Sequence, residues 1–539
     1  MAYERTFPTM TWADAGHMAP ELILIAMMAL LIVVDLLLPR RIDRSIIGWL
    51  SLASLIGSFV SVVWRIQDQA DQSQAAAALG ILRDNYRIDD FGAMFKLLLL
   101  TAAALIVLWS LGAMKREGIG QLAHQGEYYY LLLPATAGAM MMTSTGDLIT
   151  LYTGLELLSI STYVLVGLRT KREVAVQASS SDEKVSAKPA EAAFKYVVTG
   201  GISSAFILFG MSYLYGLTGS THVGEIGSTL PQVVDSFRGL IYLAFFFMVA
   251  GFGIKIAAAP FHAWAPDVYE GAPTPMSAFL AVISKSAAAV ALFRLFYNLV
   301  FPESLSNGNS IGHDLFRAVL AVAACAMLVG TLSALRQHNM KRLLALSGVA
   351  NAGYLIVPIG LSFYGVHSSN AAELFFYAAA YLFMNIGAFA VLSIVAGSRR
   401  GTDSDSSVQL RTFEGLYHRA PWTAGAMIIF ILSLAGLPIS GGFFGKLFIM
   451  MGAASTHAYW LVAIMAGTSV ISYYVYFGIV RQMFMRSSGD EPVHVPAASG
   501  TVVWLCAAAT LVLGVYPNGP MNWFEHVFSV VNDLLIVPQ

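Results

Sequence analysis

Apolar runs of about 18 to 30 residues recur along the chain, separated by shorter polar stretches, and are rich in Leu, Ala, Gly and Met. They lack the roughly ten-residue alternation of a membrane β-barrel strand, so the pattern predicts helices long enough to cross about 30 Å of hydrocarbon. Fourteen spans are expected, at approximately 20–38, 46–64, 91–114, 128–145, 147–169, 191–216, 238–260, 276–301, 314–335, 341–364, 372–397, 421–452, 457–480 and 500–516. The expected fold is therefore an all-α polytopic membrane protein. The first run follows Asp14, His17 and Pro20 and ends in Leu38-Pro39-Arg40-Arg41 without a small-residue cleavage site. It reads as an uncleaved span.

Composition agrees. Hydrophobic residues make up 57% of the 539 and charged residues 12%, against roughly 25% charged in an ordinary soluble domain. Mean hydropathy is +0.67, which excludes a soluble enzyme with a small anchor. With Lys+Arg 31 and Asp+Glu 32 the net charge is −1, and no basic excess points to a nucleic-acid partner. Cys325 and Cys506 both lie in apolar runs. Two such residues supply no zinc site, iron–sulfur cluster or disulfide framework and read as small core hydrophobes. No phosphate-binding Walker loop and no Gly-rich dinucleotide fingerprint is present. The chain is expected to hold no metal, cofactor or redox centre of its own.

Orientation follows from the loops, because positive residues stay on the cytoplasmic side. Nineteen Lys and Arg fall after odd-numbered spans, whereas four (Arg5, Arg65, Arg83 and Arg87) fall at the N-terminus and after even-numbered ones. Both termini are expected outside. The Ser- and Ala-rich stretch from Thr170 to Pro189 reads as a mobile cytoplasmic loop.

Eight positive residues lie within spans. Lys96, Lys195, Arg238, Arg294 and Arg317 sit within about two turns of a span end, where long side chains snorkel to the headgroups. Lys285 does not: it lies about ten residues into span 8, roughly 15 Å deep. A central charge costs about 2.5–3.5 kcal/mol on insertion scales, so it must face a partner or water. There its charge state responds to its neighbours, as a proton relay requires. A static ion pair is the plainer alternative.

Lys255, in Gly251-Phe252-Gly253-Ile254-Lys255, is followed by Pro260, Pro266, Gly271, Pro273 and Pro275. Lys446 closes the run Gly436-Leu437-Pro438-Ile439-Ser440-Gly441-Gly442-Phe443-Phe444-Gly445. Both helices are expected to break inside the membrane, and breaks of this kind occur where a cavity or ion path needs them. Glu156, about ten residues into span 5, is a counter-ion for one of the lysines, and the spacing leaves open which one. A buried Lys–Glu pair titrates as a unit and acts as a switch; its plainer reading is helix orientation alone. The broken spans are the seventh and the twelfth, so spans 4–8 and 9–13 form two units of five. Since five is odd, the second unit is inverted, as in secondary transporters. Asp35, Asp147 and Glu373 lie near span ends and read as interfacial. His262, His338 and His418 lie near the cytoplasmic boundary, where histidine suits proton entry but is commonly just solvated.

The stretch His262-Ala263-Trp264-Ala265-Pro266-Asp267-Val268-Tyr269-Glu270-Gly271-Ala272-Pro273-Thr274-Pro275 resembles the signature of the antiporter-like subunits of respiratory complex I and of Mrp-type cation/proton antiporters. Leu155-Glu156-Leu157-Leu158-Ser159, Lys341-Arg342-Leu343-Leu344-Ala345, Tyr381-Leu382-Phe383-Met384-Asn385-Ile386-Gly387-Ala388-Phe389 and the Lys446 segment extend the resemblance over spans 4 to 13. A lysine at 446 distinguishes the chain from the M-type branch. Its short tail after span 14 distinguishes it from the L-type branch with its long lateral helix, so it is most similar to the N-type branch.

The resemblance implies a three-helix segment over 1–127, inverted repeats over 128–301 and 302–485, and a C-terminal helix and tail over 486–539. It implies proton translocation from the cytoplasm to the outer face of a bacterial inner membrane. The partners implied are other membrane subunits, including neighbouring antiporter-like ones, and lipids; flavin, iron–sulfur clusters and quinone belong to partner subunits. It also implies that Glu156 and Lys255 form the ion pair, that Lys285 is the central relay and that Lys446 leads to the outer exit, with His262, His338 and Tyr354 as further possible members. Asn351 stands where the family often has a histidine, so Tyr354, water or another side chain must bridge the axis there. The alternatives are the large subunit of a Mrp-type sodium/proton antiporter or of a related membrane-bound hydrogenase, and an inert membrane spacer.

Overall fold

The computed structural model describes residues 12–39, 42–71, 79–81, 85–114, 122, 124–168, 188–300, 310–361, 368–398, 408–485 and 493–528. The apolar runs are helices: α1 (Ala19–Leu37), α2 (Ser45–Asp71), α3 (Asp90–Met114), α4 (Gln125–Thr143), α5 (Leu148–Val166), α6 (Lys188–Thr218), α7 (Val223–Ile256), α8 (Trp264–Gly271), α9 (Thr274–Val300), α10 (Ser310–Ala334), α11 (Met340–Leu361), α12 (Ser368–Ser398), α13 (Pro421–Ala435), α14 (Gly441–Ser455), α15 (Tyr459–Phe484), α16 (Ala497–Val515) and α17 (Asn518–Val527). Among the described residues, twelve helices are long and apolar enough to cross a membrane. The chain is a multi-pass membrane protein. One small antiparallel hairpin, β1 (Leu79–Ile81) with β2 (Tyr86–Ile88), interrupts the helical pattern. Much of the loop charge used to orient the chain, including Arg40, Arg41, Lys115, Arg116, Arg399, Arg400, Arg486 and the stretch 169–187, lies outside the described residues.

Burial sorts the helices. The apolar windows of α9 and α11 are wholly buried and that of α12 is 83% buried, whereas those of α1 and α15 are 22% and 28% buried. The outer helices turn large apolar side chains such as Leu36, Trp64, Trp422 and Tyr474 outward; in water such a surface would not persist, and in lipid it costs nothing. The core of the bundle is thus α9, α11 and α12.

Both expected breaks are present. α7 ends at Ile256, Ala257 takes a left-handed conformation (φ 58°), and the chain re-enters helix at α8. The Trp264 indole donates to the Ile254 carbonyl at 2.9 Å, satisfying a group that the break releases. The run expected as one span over 421–452 is two helices, because Gly436 (φ 80°) and Ile439 (φ 79°) turn the chain between α13 and α14. Here the Gly436 carbonyl accepts from Tyr473 at 3.0 Å and the Leu434 carbonyl from Lys446 Nζ at 2.8 Å. Backbone freed within a membrane must find such partners.

Two residues expected to snorkel do not. Lys96 and Arg294 are 0% exposed. Lys96 Nζ lies 2.9 Å from Glu21 and donates to Tyr86 at 2.6 Å, and Arg294 forms a fork on Asp89 at 2.6 and 2.7 Å. Their carboxylate partners come from α1 and from the turn before α3, which distance along the sequence concealed. Arg317 is exposed, and Lys195 and Arg238 are at least partly so.

Candidate functional site: a polar axis through the buried helices

Glu156, Ser159 and Tyr163 lie at i, i+3 and i+7 on one face of α5. Lys255, in the last turn of α7, faces them: its Nζ donates to Ser159 Oγ at 2.6 Å and lies 3.5 Å from the Tyr163 hydroxyl. Glu156 Oε1 is buried without a hydrogen-bond partner among the described residues. The Glu156–Lys255 ion pair implied by the resemblance is therefore open, with the ammonium held by Ser159 one turn along from the carboxylate. The two remain close enough for the charge of Glu156 to act on Lys255.

From there an aromatic file leads inward. Tyr163 meets Tyr196 edge-on at 4.9 Å, Tyr196 stacks on Trp264 at 5.0 Å, Trp264 meets Tyr269 at 6.5 Å, and the Lys285 ammonium lies 5.9 Å from the Tyr269 ring centre. The Tyr196 and Thr162 hydroxyls, 3.3 Å apart, add polar atoms along it. Lys285 is 1% exposed and follows a π-turn over Leu280–Ser284, a local widening of the helix often found at functional sites. Its Nζ has no hydrogen-bond partner among the described residues, nor have the hydroxyls of Tyr269 and Tyr381. A side chain on Gly348 would place its Cβ 2.7 Å from Lys285 Nζ and 3.1 Å from the Tyr381 hydroxyl. The missing side chain thus makes the space in which ammonium and hydroxyl meet.

Beyond Lys285 the polar groups continue on α11 and α12. Tyr381 stacks on Tyr377 at 6.3 Å, the Tyr377 hydroxyl donates to Asn351 Oδ1 at 2.9 Å, and Asn351 Nδ2 donates to Ser347 at 3.3 Å, which in turn bonds Tyr476. Tyr377 also meets Tyr354 at 5.9 Å. The Tyr354 ring carries the Lys446 ammonium 4.9 Å from its centre, and its hydroxyl donates to the Met465 carbonyl at 2.9 Å.

Glu156, Lys255, Lys285, Tyr354 and Lys446 thus belong to one axis. His262 stands apart at the α7–α8 break, half-buried. His338 is exposed in the turn before α11 and touches none of the axis groups described. Ser159, Tyr163, Tyr377, Tyr381 and Tyr476 also line the axis and were not among the candidates from the sequence. The one signal available was the i, i+4, i+8, i+12 repeat of Glu373, Tyr377, Tyr381 and Asn385 in an otherwise apolar span.

The acidic residues of the signature stretch have a different place. Asp267 takes Lys195 and Arg342 at 2.6 Å each, and Glu270 takes Arg342 at 2.9 Å, Lys188 at 3.0 Å and Asn339 at 3.2 Å. Lys341 Nζ donates to the Ala272 carbonyl at 2.7 Å, closing the end of α8. This network ties α8 to α6 and α11. Partial burial pushes both carboxyls up, but hydrogen bonds and charge from the surrounding cations outweigh it and hold Asp267 and Glu270 below the usual carboxylate range.

A fold of this kind with a lysine axis defines a class, and the comparisons agree. The family model described as NADH:quinone oxidoreductase/Mrp antiporter, TM, matches residues 145–472, and the chain belongs to that family. It is 55% identical over 539 residues to NADH-quinone oxidoreductase subunit N of Paenibacillus sp. (strain JDR-2), covering 98% of this chain and 99% of the relative. Among solved structures it resembles a chain of respiratory complex I from Thermus thermophilus, solved with bound Aureothin, at 29% identity and a TM-score of 0.73, over 93% of this chain and 98% of that one. A chain of the Mrp complex from Dietzia sp. DQ12-45-1b, 18% identical with a TM-score of 0.76 over 96% and 97%, shares the fold.

Proposed function

We propose that this chain is the N-type membrane subunit of a proton-translocating NADH:quinone oxidoreductase. It moves protons from the cytoplasm to the outer face of a bacterial inner membrane while partner subunits, which hold flavin, iron–sulfur clusters and quinone, carry the electrons. The observation that carries the proposal is that a file of polar and aromatic groups, on α5 to α8 and then on the buried α9, α11 and α12, links Lys255 through Lys285 to Lys446 of α14. An inert spacer has no need to bury three lysines among hydroxyls. The likeness over nearly the whole length to a relative named subunit N selects this reading over a Mrp-type exchanger.

In this mechanism spans 4–8 and 9–13 are two inverted units of a fourteen-span chain with both termini outside. Lys285 is loaded with a proton while Lys255 rests on Ser159, as here. Closure of the Glu156–Lys255 pair, set by a neighbouring antiporter-like subunit, changes the field at Lys285 and sends its proton by way of water, Tyr381 and Tyr377 toward Lys446. Asn351 takes no proton itself; its amide holds Tyr377 and Ser347 in line and orients water. Each charge moved against 100 mV requires about 2.3 kcal/mol, within reach of closing a buried ion pair in a low-dielectric interior.

Replacing Lys255 with Ala is expected to lower proton uptake by membrane vesicles together with quinone-linked electron transfer, in an assembled complex; normal pumping contradicts the mechanism. Co-purification of flavin and iron–sulfur proteins with the chain separates this proposal from a gradient-driven exchanger, which needs neither.

A further inference from the structure

One buried acid has no place in the mechanism above. Glu373, in the first turns of α12, is 5% exposed, and among the described residues its Oε2 has no hydrogen-bond partner. Asp35 and Asp147, grouped with it in the sequence as interfacial, are satisfied: Asp35 pairs with Arg44 at 2.8 Å, and Asp147 caps α5 through the Ile149 and Thr150 amides. Asn370, one turn before Glu373, is 2% exposed, and both its polar side-chain atoms are without a partner among the described residues. The carboxylate occupies room left by Gly452 of α14, where a Cβ would lie 2.7 and 2.8 Å from its two oxygens.

Position connects this acid to the axis. Glu373, Tyr377 and Tyr381 lie at i, i+4 and i+8 on one face of α12, so Glu373 continues the file one turn past the Tyr377–Asn351 hydrogen bond. Gly452 lies on α14, the helix that carries Lys446, and Gly445 of the same helix packs on Tyr377. The titratable group facing Glu373 is Glu525 of α17, partly exposed and 3.4 Å from Ser369 Oγ. Among the described residues no Lys or Arg pairs with either carboxyl, and Lys446 points away to the Leu434 carbonyl. A carboxyl buried without a cation is costly as a charge and cheap as the neutral acid. A protonated carboxyl also both donates and accepts, as a relay must.

We infer that Glu373 is the terminal proton carrier of the axis, taking a proton from the Lys446–Tyr377 region and passing it, through water held by Asn370, to Glu525 and the outer surface. In the step, a proton leaves the Lys446 ammonium, the intervening water hands one on, and Glu373 Oε2 becomes the carboxylic acid. On release the proton bonds to Glu525 or to outer water, and Glu373 returns to carboxylate. No electron moves. The inference rests on the proposed pumping function.

The test uses vesicles bearing the assembled complex, with Glu373→Gln, Glu373→Asp, Glu525→Gln, Gly452→Ala and Lys285→Ala measured side by side. Glu373→Gln is expected to lower proton uptake and electron transfer about tenfold or more, in line with loss of a proton-transfer group, and Glu373→Asp to restore part of both. Glu525→Gln shifts the pH profile of turnover, and Gly452→Ala, which crowds the carboxylate, lowers turnover. In infrared difference spectra of wild type under turnover, a carboxylic-acid carbonyl band appears, and it is missing from Glu373→Gln. Unchanged uptake and pH profile in an assembled Glu373→Gln complex, with Lys285→Ala still impaired, overturns the inference and leaves the pumping proposal standing. If Lys285→Ala is unimpaired as well, the pumping proposal itself fails. Should Glu373→Gln not assemble, Glu525→Gln and Gly452→Ala decide, and wild-type behaviour in both overturns the inference.

Discussion

At Gly348 a hydrogen atom does what no side chain can. A methyl there would fall 2.7 Å from the Lys285 ammonium, and since that is the free end of a flexible chain, the lysine gives way and the helix does not. Gly348→Ala is expected to leave assembly and thermal stability close to wild type, while proton uptake by vesicles falls several-fold because Lys285 is displaced from Tyr381. Equal uptake would show that the space beside Lys285 is not used. The lysines themselves were legible in the sequence, because a charge deep in an apolar run has few inexpensive explanations. The groups around them were not. Ser159, Tyr163, Tyr377 and Tyr381 are uncharged and common in membrane helices, and only the fold shows that their hydroxyls line one file. Glu373 was misread for a related reason: nearness to a span end suggests an interface, and nothing in the sequence tells that α17 and α14 cover it.

The two broken elements were legible as breaks, since Pro and Gly leave few alternatives, but not as pieces held in place. α8 is only eight residues long, and its position depends on Asp267 and Glu270, whose partners lie 69 to 82 residues away in the chain. These carboxyls sit below their ordinary range, so the unfolded state binds protons more readily than the folded one. Their contribution is complete at neutral pH, starts to fall as pH drops through the ordinary carboxylate range near pH 4, and is gone below the depressed values. Amide hydrogen exchange in the assembled complex is expected to show α8 opening at acid pH before α9 or α11. Asp267→Asn is expected to bring that opening at neutral pH, and unchanged protection of α8 in that variant would show that packing alone holds it.

Across the whole molecule, the N-terminal helices are bound to the rest by a charge pair that the sequence hid. Asp89 and Arg294 are 205 residues apart and both fully buried. Removing one partner of such a pair leaves an unpaired buried charge and costs about 3–5 kcal/mol, whereas replacing both with apolar groups of similar volume is often nearly neutral. Arg294→Met is therefore expected to lower the amount of assembled complex and its melting temperature, and Asp89→Leu with Arg294→Met to recover part of both, since buried Arg87, 3.4 Å from Asp89, then loses that carboxylate. Failure of the double variant to recover would mean that the pair does more than cancel charge.

The central claim, that the buried lysine axis moves protons, is tested most directly at Lys285. In vesicles carrying Lys285→Ala, quinone-linked electron transfer and proton uptake are recorded together, with assembly checked in the same preparation. The account predicts that both fall while the complex remains assembled. If both stay at wild-type levels, Lys285 is a structural charge and the axis described here is not the route.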